Sequence, residues 1–211
     1  SIARTNLYAN IETLLNNGVQ IISMSNSSPS GKYDNVAKWI DHVVAKHDVS
    51  FIASAGNNYE KGLVGDSGMG YNAISVGAID DNNTSSLGDD TIANYTSRTS
   101  YAATKPEIYA PGSGITAAGL TMSGTSFSCP MVSGISTLLI EAFPICGRLP
   151  SLLKAVLITS GRNLNNENSS NVSRITSNIG AGVVRATAAY TALADNNINY
   201  GVLLSGRATW N

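Results

Sequence analysis

Apolar positions along the chain fall into short runs separated by stretches rich in Asn, Ser and Gly. Tyr8 to Leu15 spaces Ile11, Leu14 and Leu15 onto one face of a helix. Asn16-Asn17-Gly18 then ends it, with Gly18 suited to a left-handed cap. Val19 to Met24 is a short apolar run of the kind that forms a buried strand, and Ser25 to Gly31 is a polar turn. Tyr33 to Lys46 carries a helical stripe of Val36, Trp39, Ile40 and Val43. Val49 to Ala53, Asn72 to Ile79 and Glu107 to Ala110 read as further strands. Thr125 to Ala142 is a long, largely apolar helix, with Pro130 expected in its first turn, where a missing N–H costs little. Leu152 to Thr159 and Val184 to Ala194 complete the helices, residues 163–178 form a polar loop, and Asn199 to Asn211 is an extra strand or a tail. Strands alternating with helices predict an α/β fold whose mostly parallel sheet is covered on both faces.

Composition narrows the picture. The 211 residues suffice for one domain or for most of a larger one. Charged residues make up 13%, the net charge is −1, and no block of Lys or Arg occurs, which argues against an electrostatic nucleic-acid or membrane partner. No apolar run approaches the roughly 20 residues of a membrane span. Ser1-Ile2-Ala3-Arg4 lacks a signal-peptide layout, so the start is expected to be a processed or cut end. Cys129 and Cys146 are placed near one helix, about 25 Å apart at ~1.5 Å per residue, and are expected as free thiols. Triplets such as Asn94-Tyr95-Thr96 carry little weight in so Asn-rich a chain.

The chemistry concentrates in Ser123-Gly124-Thr125-Ser126-Phe127-Ser128-Cys129-Pro130-Met131-Val132-Ser133-Gly134. Small residues flank one serine, and the long helix follows directly. Ser126 therefore sits at a helix N-terminus, where free N–H groups and the helix dipole favour an alkoxide or a tetrahedral oxyanion. Gly124 allows close approach of backbone to a substrate. From these features alone, an ordinary helix cap at Ser or Thr is the more usual account.

The segment resembles the nucleophile motif of the subtilisin family of serine proteases, Gly-Thr-Ser-x-Ala/Ser-x-Pro-x-Val-Ala/Ser-Gly, and Ser126 falls on the nucleophile. Phe51-Ile52-Ala53-Ser54-Ala55-Gly56-Asn57 resembles the family strand whose Asn donates to the oxyanion, which puts Asn57 in that role. An Asn there separates the chain from the sedolisin-like peptidases, which use Asp. Weaker matches follow in the family's order: Val19 to Ser25, Lys105-Pro106-Glu107-Ile108-Tyr109-Ala110-Pro111-Gly112, and Ile179-Gly180-Ala181-Gly182 into the last helix. The family usually continues Ser-Leu-Gly where this chain has Ser25-Asn26-Ser27, so the primary specificity pocket is expected to differ.

The resemblance implies a three-layer subtilisin-like fold with its N-terminal strands missing. Residues 1–198 would be the C-terminal portion of the catalytic domain and 199–211 a strand or tail. It implies catalytic Ser126 and Asn57, and a substrate strand held along Ser23, Met24, Ser25, Asn26, Ser27, Ser54, Ala55 and Gly56, with Thr125 beside them. It implies a peptide or protein substrate, no cofactor, and an extracellular or cell-surface setting by family tendency. Calcium sites occur in the family, but no carboxylate cluster here argues for a metal. The family's Asp-Ser/Thr-Gly and His-Gly-Thr motifs precede these segments, and the chain begins after where they should lie. His42 and His47 fall on the second helix, away from the catalytic edge, and Asp66-Ser67-Gly68 falls where the family has a surface loop, so none is expected in the triad. The chain alone is then expected to be inactive, with the N-terminal part of the same domain as its partner. The alternatives are an inert subtilase-fold module that binds peptides, and a different serine hydrolase or an unrelated α/β domain with chance motif matches. The Gly-x-Ser-x-Gly elbow of the α/β-hydrolases is absent around Ser126.

Overall fold

The structure, a computed structural model, describes residues 6–59, 63–99, 104–164, 180–195 and 198, with the backbone course of 201–204 and 207–210. Helix α1 (Leu7–Asn16) leads to Gly18 at φ +71°, the left-handed stop expected there. Of its expected apolar face only Ile11 is buried, and Leu14 is 41% exposed. Strand β1 (Ile21–Met24) follows, then α2 (Asn35–His47). Helix α2 starts two residues later than its apolar stripe suggested. Asp34 caps it, its carboxylate accepting the N–H groups of Val36 and Ala37 at 3.0 and 3.1 Å. Trp39 is half-buried and stands edge-on to Tyr8 with ring centres 4.5 Å apart.

Strands β2 (Ser50–Ser54) and β3 (Ile74–Asp80) come next, followed by β4 (Thr91–Ile92) and β5 (Ile108–Pro111). The order β1-β2-β3-β5 is parallel throughout, and the short β4 runs antiparallel along the end of β3. All five residues of β2 are buried, as a strand covered on both faces requires. Its side chains divide between two cores. Phe51 and Ala53 join Ile22 against Ile11, Ile40 and Val43 of α1 and α2. Ile52 joins Ile74, Val76 and Ile108 against Val132 and Leu139 of α3 (Thr125–Ala142) on the opposite face.

Several elements were not legible in the apolar pattern. Asp66–Met69 is a 3-10 turn, and it is buried rather than part of a surface loop. A hairpin of β6 (Ile115–Ala117) and β7 (Leu120–Met122) turns at Ala118 and Gly119, at φ +49° and +78°. Helix α4 (Ile145–Arg148) precedes α5 (Pro150–Thr159). Helix α6 (Ala186–Ala194) begins two residues later than expected, because Val184 donates its N–H to Tyr109 of β5 and Val183 pairs with Arg162. Strands β8 (Gly201–Leu204) and β9 (Arg207–Trp210) form a second hairpin. Beyond Leu164 the polar loop expected over 163–178 lies outside the described residues. No helix among the described residues is long and apolar enough to cross a membrane.

The Lys-Pro-Glu segment before β5 makes a buried ionic cluster. Lys105, 2% exposed, donates to Gly70 O at 2.6 Å, to Ala73 O at 3.3 Å and to Glu107 Oε1 at 2.5 Å. Lys154 of α5 donates to the same carboxylate oxygen at 2.6 Å, and Glu107 Oε2 accepts the N–H of Ser75 at 2.8 Å. The cluster ties the amino ends of β3 and β5 together. The Gly180-Ala181-Gly182 turn closes over the same region: a Cβ on Gly182, at φ +82°, would lie 1.9 Å from Arg162 O.

Both cysteines are free and buried. Cys129 lies on α3, which ends at Ala142, and Cys146 on the short α4 that follows it. Burial pushes the Cys146 thiol from 9.0 to about 11 and raises Cys129 as well, against hydrogen bonds from Ser23 and its neighbours. At pH 8 a shift of this size leaves Cys146 with about 100-fold less thiolate than an ordinary cysteine. Colorimetric thiol titration should therefore find both groups silent in the native protein and both reactive in denaturant. A folded-state pKa raised in this way contributes stability that is fully present below pH 9 and lost as pH rises through 11.

Candidate active site

One cleft opens at the carboxyl ends of β1 and β2, where the N-terminus of α3 meets them, the usual place for a ligand in a parallel sheet. It is a cavity of about 210 Å³. Ser126 and Asn57 both line it, on different elements 69 residues apart in sequence.

Ser126 is the second residue of α3. Its N–H has no acceptor among the described residues, as befits the first turn of a helix. Pro130 lies one turn further in than expected, so it withholds the N–H that would bind the carbonyl four residues earlier, that of Ser126. The Ser25 hydroxyl donates to this carbonyl instead, at 3.0 Å. The pairing is reciprocal: the Ser126 hydroxyl donates to Ser25 O at 3.0 Å. Loop 25–27 and the start of α3 are thereby held together by two hydrogen bonds that neither segment could make alone.

Asn57 has a defined orientation. Its Oδ1 accepts the N–H of Thr125 and the Thr125 hydroxyl, each at 3.0 Å, and the Thr125 hydroxyl accepts the N–H of Gly56 at 3.1 Å. With Oδ1 occupied, the side chain presents Nδ2 as a donor. Nδ2 lies against Gly124, where a Cβ would come within 3.2 Å of it. The close approach that Gly124 permits is thus to the Asn57 amide. Two donors without an acceptor among the described residues, Ser126 N–H and Asn57 Nδ2, border one cleft, an arrangement that can hold a developing oxyanion.

Of the residues expected along a substrate strand, Ser25, Asn26, Ser27, Ser54, Gly56 and Thr125 line the cleft. Ser23, Met24 and Ala55 do not. The Ser23 hydroxyl lies 2.8 Å from that of Ser133 on α3, Met24 packs towards α1 and α2, and Ala55 is fully buried. The N–H and C=O groups of Ala55 and Gly56 already have partners: Val76 and Gly65 for Ala55, Thr125 and Ser97 for Gly56. Thr125 is 1% exposed, with its hydroxyl engaged as described. Pro29, Asn58, Leu63 and Gly65 also line the cleft and were not picked out from sequence. Only the bridge between Pro29 and Gly65 brings those two together, and it leaves no local signature.

Both histidines are exposed on α2, on the face of the sheet opposite α3, and neither lines the cleft. Asp66 accepts the N–H groups of Ser28 and Ser67 at 3.1 and 2.8 Å and is 3% exposed. Among the described residues no group of three metal-ligating side chains comes together.

Comparison with known proteins agrees on the architecture. The subtilase family model, Peptidase S8, matches residues 2–182. The serine protease AprX of Bacillus subtilis (strain 168) is 30% identical, across 60% of this chain and 34% of its own length, so the chain spans about a third of that curated relative. The prenylagaramide maturation protease PagA superposes with a TM-score of 0.70 at 26% identity, over 92% of this chain and 69% of its own. The PatG macrocyclase solved with a peptide superposes at 0.69 over 91% of this chain and 57% of its own, and at 21% identity it bears on the fold alone.

Proposed function

This chain belongs to the subtilase family, and we propose that it supplies the nucleophile and the oxyanion donors of a serine endopeptidase. In this reading Ser126 attacks the scissile carbonyl, giving an acyl-enzyme. A histidine from outside these 211 residues takes its proton, oriented by an aspartate also from outside. Ser126 N–H and Asn57 Nδ2 receive the oxyanion, and a peptide lies along the Ser25-to-Ser27 loop. The observation that carries the reading is the shared cleft: a helix-start serine and an amide whose oxygen is tied back by Thr125, so that only its donor faces outward. The reciprocal bond between Ser126 and Ser25 is the resting state of a hydroxyl with no base beside it. Setting and partners follow the same reading: an extracellular or cell-surface protease whose missing sheet edge is completed by the N-terminal part of its own domain, residues 1–198 being the C-terminal portion.

The 211-residue chain is expected to show no turnover of a peptide ester and no labelling by a fluorophosphonate. The same chain joined to a family-type segment bearing Asp-Thr-Gly and His-Gly-Thr is expected to show both, with the label on Ser126. Turnover by the chain alone that disappears in Ser126→Ala would reveal a base within it. An assembled protein that folds but neither labels nor hydrolyses would favour the inert peptide-binding module.

A further inference from the structure

Among the described residues, the side chains around the cleft are mostly uncharged and polar. Asn26, Ser27, Ser54 and Asn58 face it with hydroxyl and amide groups, and Pro29 and Leu63 are its apolar liners among the described residues. None of those four polar side chains has a hydrogen-bond partner among the described residues. Ser54 sits on a strand inside the sheet, 2% exposed as a residue, and lines the cleft. Ser27 owes its place to Gly65, where a Cβ would lie 1.9 Å from the Ser27 hydroxyl.

We infer that this cleft selects a peptide residue with an uncharged, hydrogen-bonding side chain, above all the carboxamide of Gln or Asn. The inference rests on the peptide-cleft reading proposed above. A carboxamide offers two donors and an acceptor, matching serine hydroxyls that can do either and Asn amides that do both. A Leu or Phe side chain would strip water from these groups and return nothing, and sites built to hydrogen-bond discriminate strongly against such analogues. A Lys or Glu side chain would bring a charge to a cleft with no charged liner among the described residues, so its desolvation would go uncompensated.

The test uses hexapeptides that differ only at one central position, Gln, Leu, Lys or Glu, bound to the 211-residue chain and read by fluorescence anisotropy. The Gln peptide is expected to bind at least about tenfold more tightly than the others. Ser27→Ala with Ser54→Ala, verified as folded by circular dichroism, should remove most of that preference, while His47→Ala, on the exposed face of α2 away from the cleft, should leave it. If the Leu peptide binds as well as the Gln peptide, or a charged one binds best, the selection is wrong while the peptidase reading stands. If none of the four binds, the selection is wrong, and the peptidase reading is decided by labelling and turnover of the assembled protein.

Discussion

Ser126→Ala in the assembled enzyme is expected to lower turnover by on the order of 10⁶-fold, a magnitude known from another member of the family. In the proposed mechanism its hydroxyl is the attacking atom. Asn57→Leu should cost about 10²–10³-fold in kcat with KM little changed, because its donor acts on charge that exists only in the transition state. Thr125 is a positioning residue for that donor. Thr125→Val removes one hydroxyl that serves both Asn57 Oδ1 and Gly56 N–H, and should lower kcat about tenfold. Thr125→Ser keeps the hydroxyl and should restore most of the loss. A purely structural role for Thr125 would lower the melting temperature in step with activity. Steady-state kinetics beside thermal melts separates the two. An Asn57→Leu enzyme with unchanged kcat would remove Asn57 from the oxyanion role.

The second large effect concerns stability and lies at the other end of the sheet. Glu107→Ala leaves two ammonium groups, Lys105 at 1% and Lys154 at 18% side-chain exposure, facing each other without their shared carboxylate. Removing one partner of a buried ion pair costs about 3–5 kcal/mol. For a chain of this length that lowers Tm by roughly 10 °C or more. Burial already pulls Lys105 down to about 8, with Glu107 opposing the shift. In the variant that opposition is gone, so Lys105 titrates lower still. A lysine whose folded pKa is depressed binds fewer protons folded than unfolded between its two pKa values, so stability rises with pH across that interval. The Glu107→Ala defect should accordingly be largest in mild acid and shrink towards pH 8, above which both proteins gain stability in parallel. Thermal melts from pH 6 to 10 measure this directly. A defect independent of pH would mean that packing rather than charge is responsible.

The elements that apolar spacing could reveal were the ones whose own neighbours decide them. Helix α3 runs over the residues its pattern predicts, and β2 is the fully buried strand that Val49 to Ala53 suggests. The hairpin of β6 and β7 escaped because its residues are almost all exposed and carry no alternation of buried and open positions. Asp66–Met69 resembled a motif in letters, yet its burial is set by packing against α2 and β3, which local composition does not register. Leu14 shows the reverse error: it holds a place on the apolar side of α1, yet it is 41% exposed while Ile11 and Leu15 of that side pack against the core.

Sequence alone determined which serine begins a long helix, which asparagine ends a buried strand, and the alternation that makes the sheet parallel. These are properties of segments shorter than about 20 residues, where periodicity and capping act locally. Only the tertiary structure decided which way the Asn57 amide faces, what replaces the N–H that Pro130 lacks, and how polar the cleft is. Those outcomes rest on hydrogen bonds between residues 68 and 101 apart and on a bridge from Pro29 to Gly65. Such contacts form only once the sheet has brought β1, β2 and α3 to the same edge.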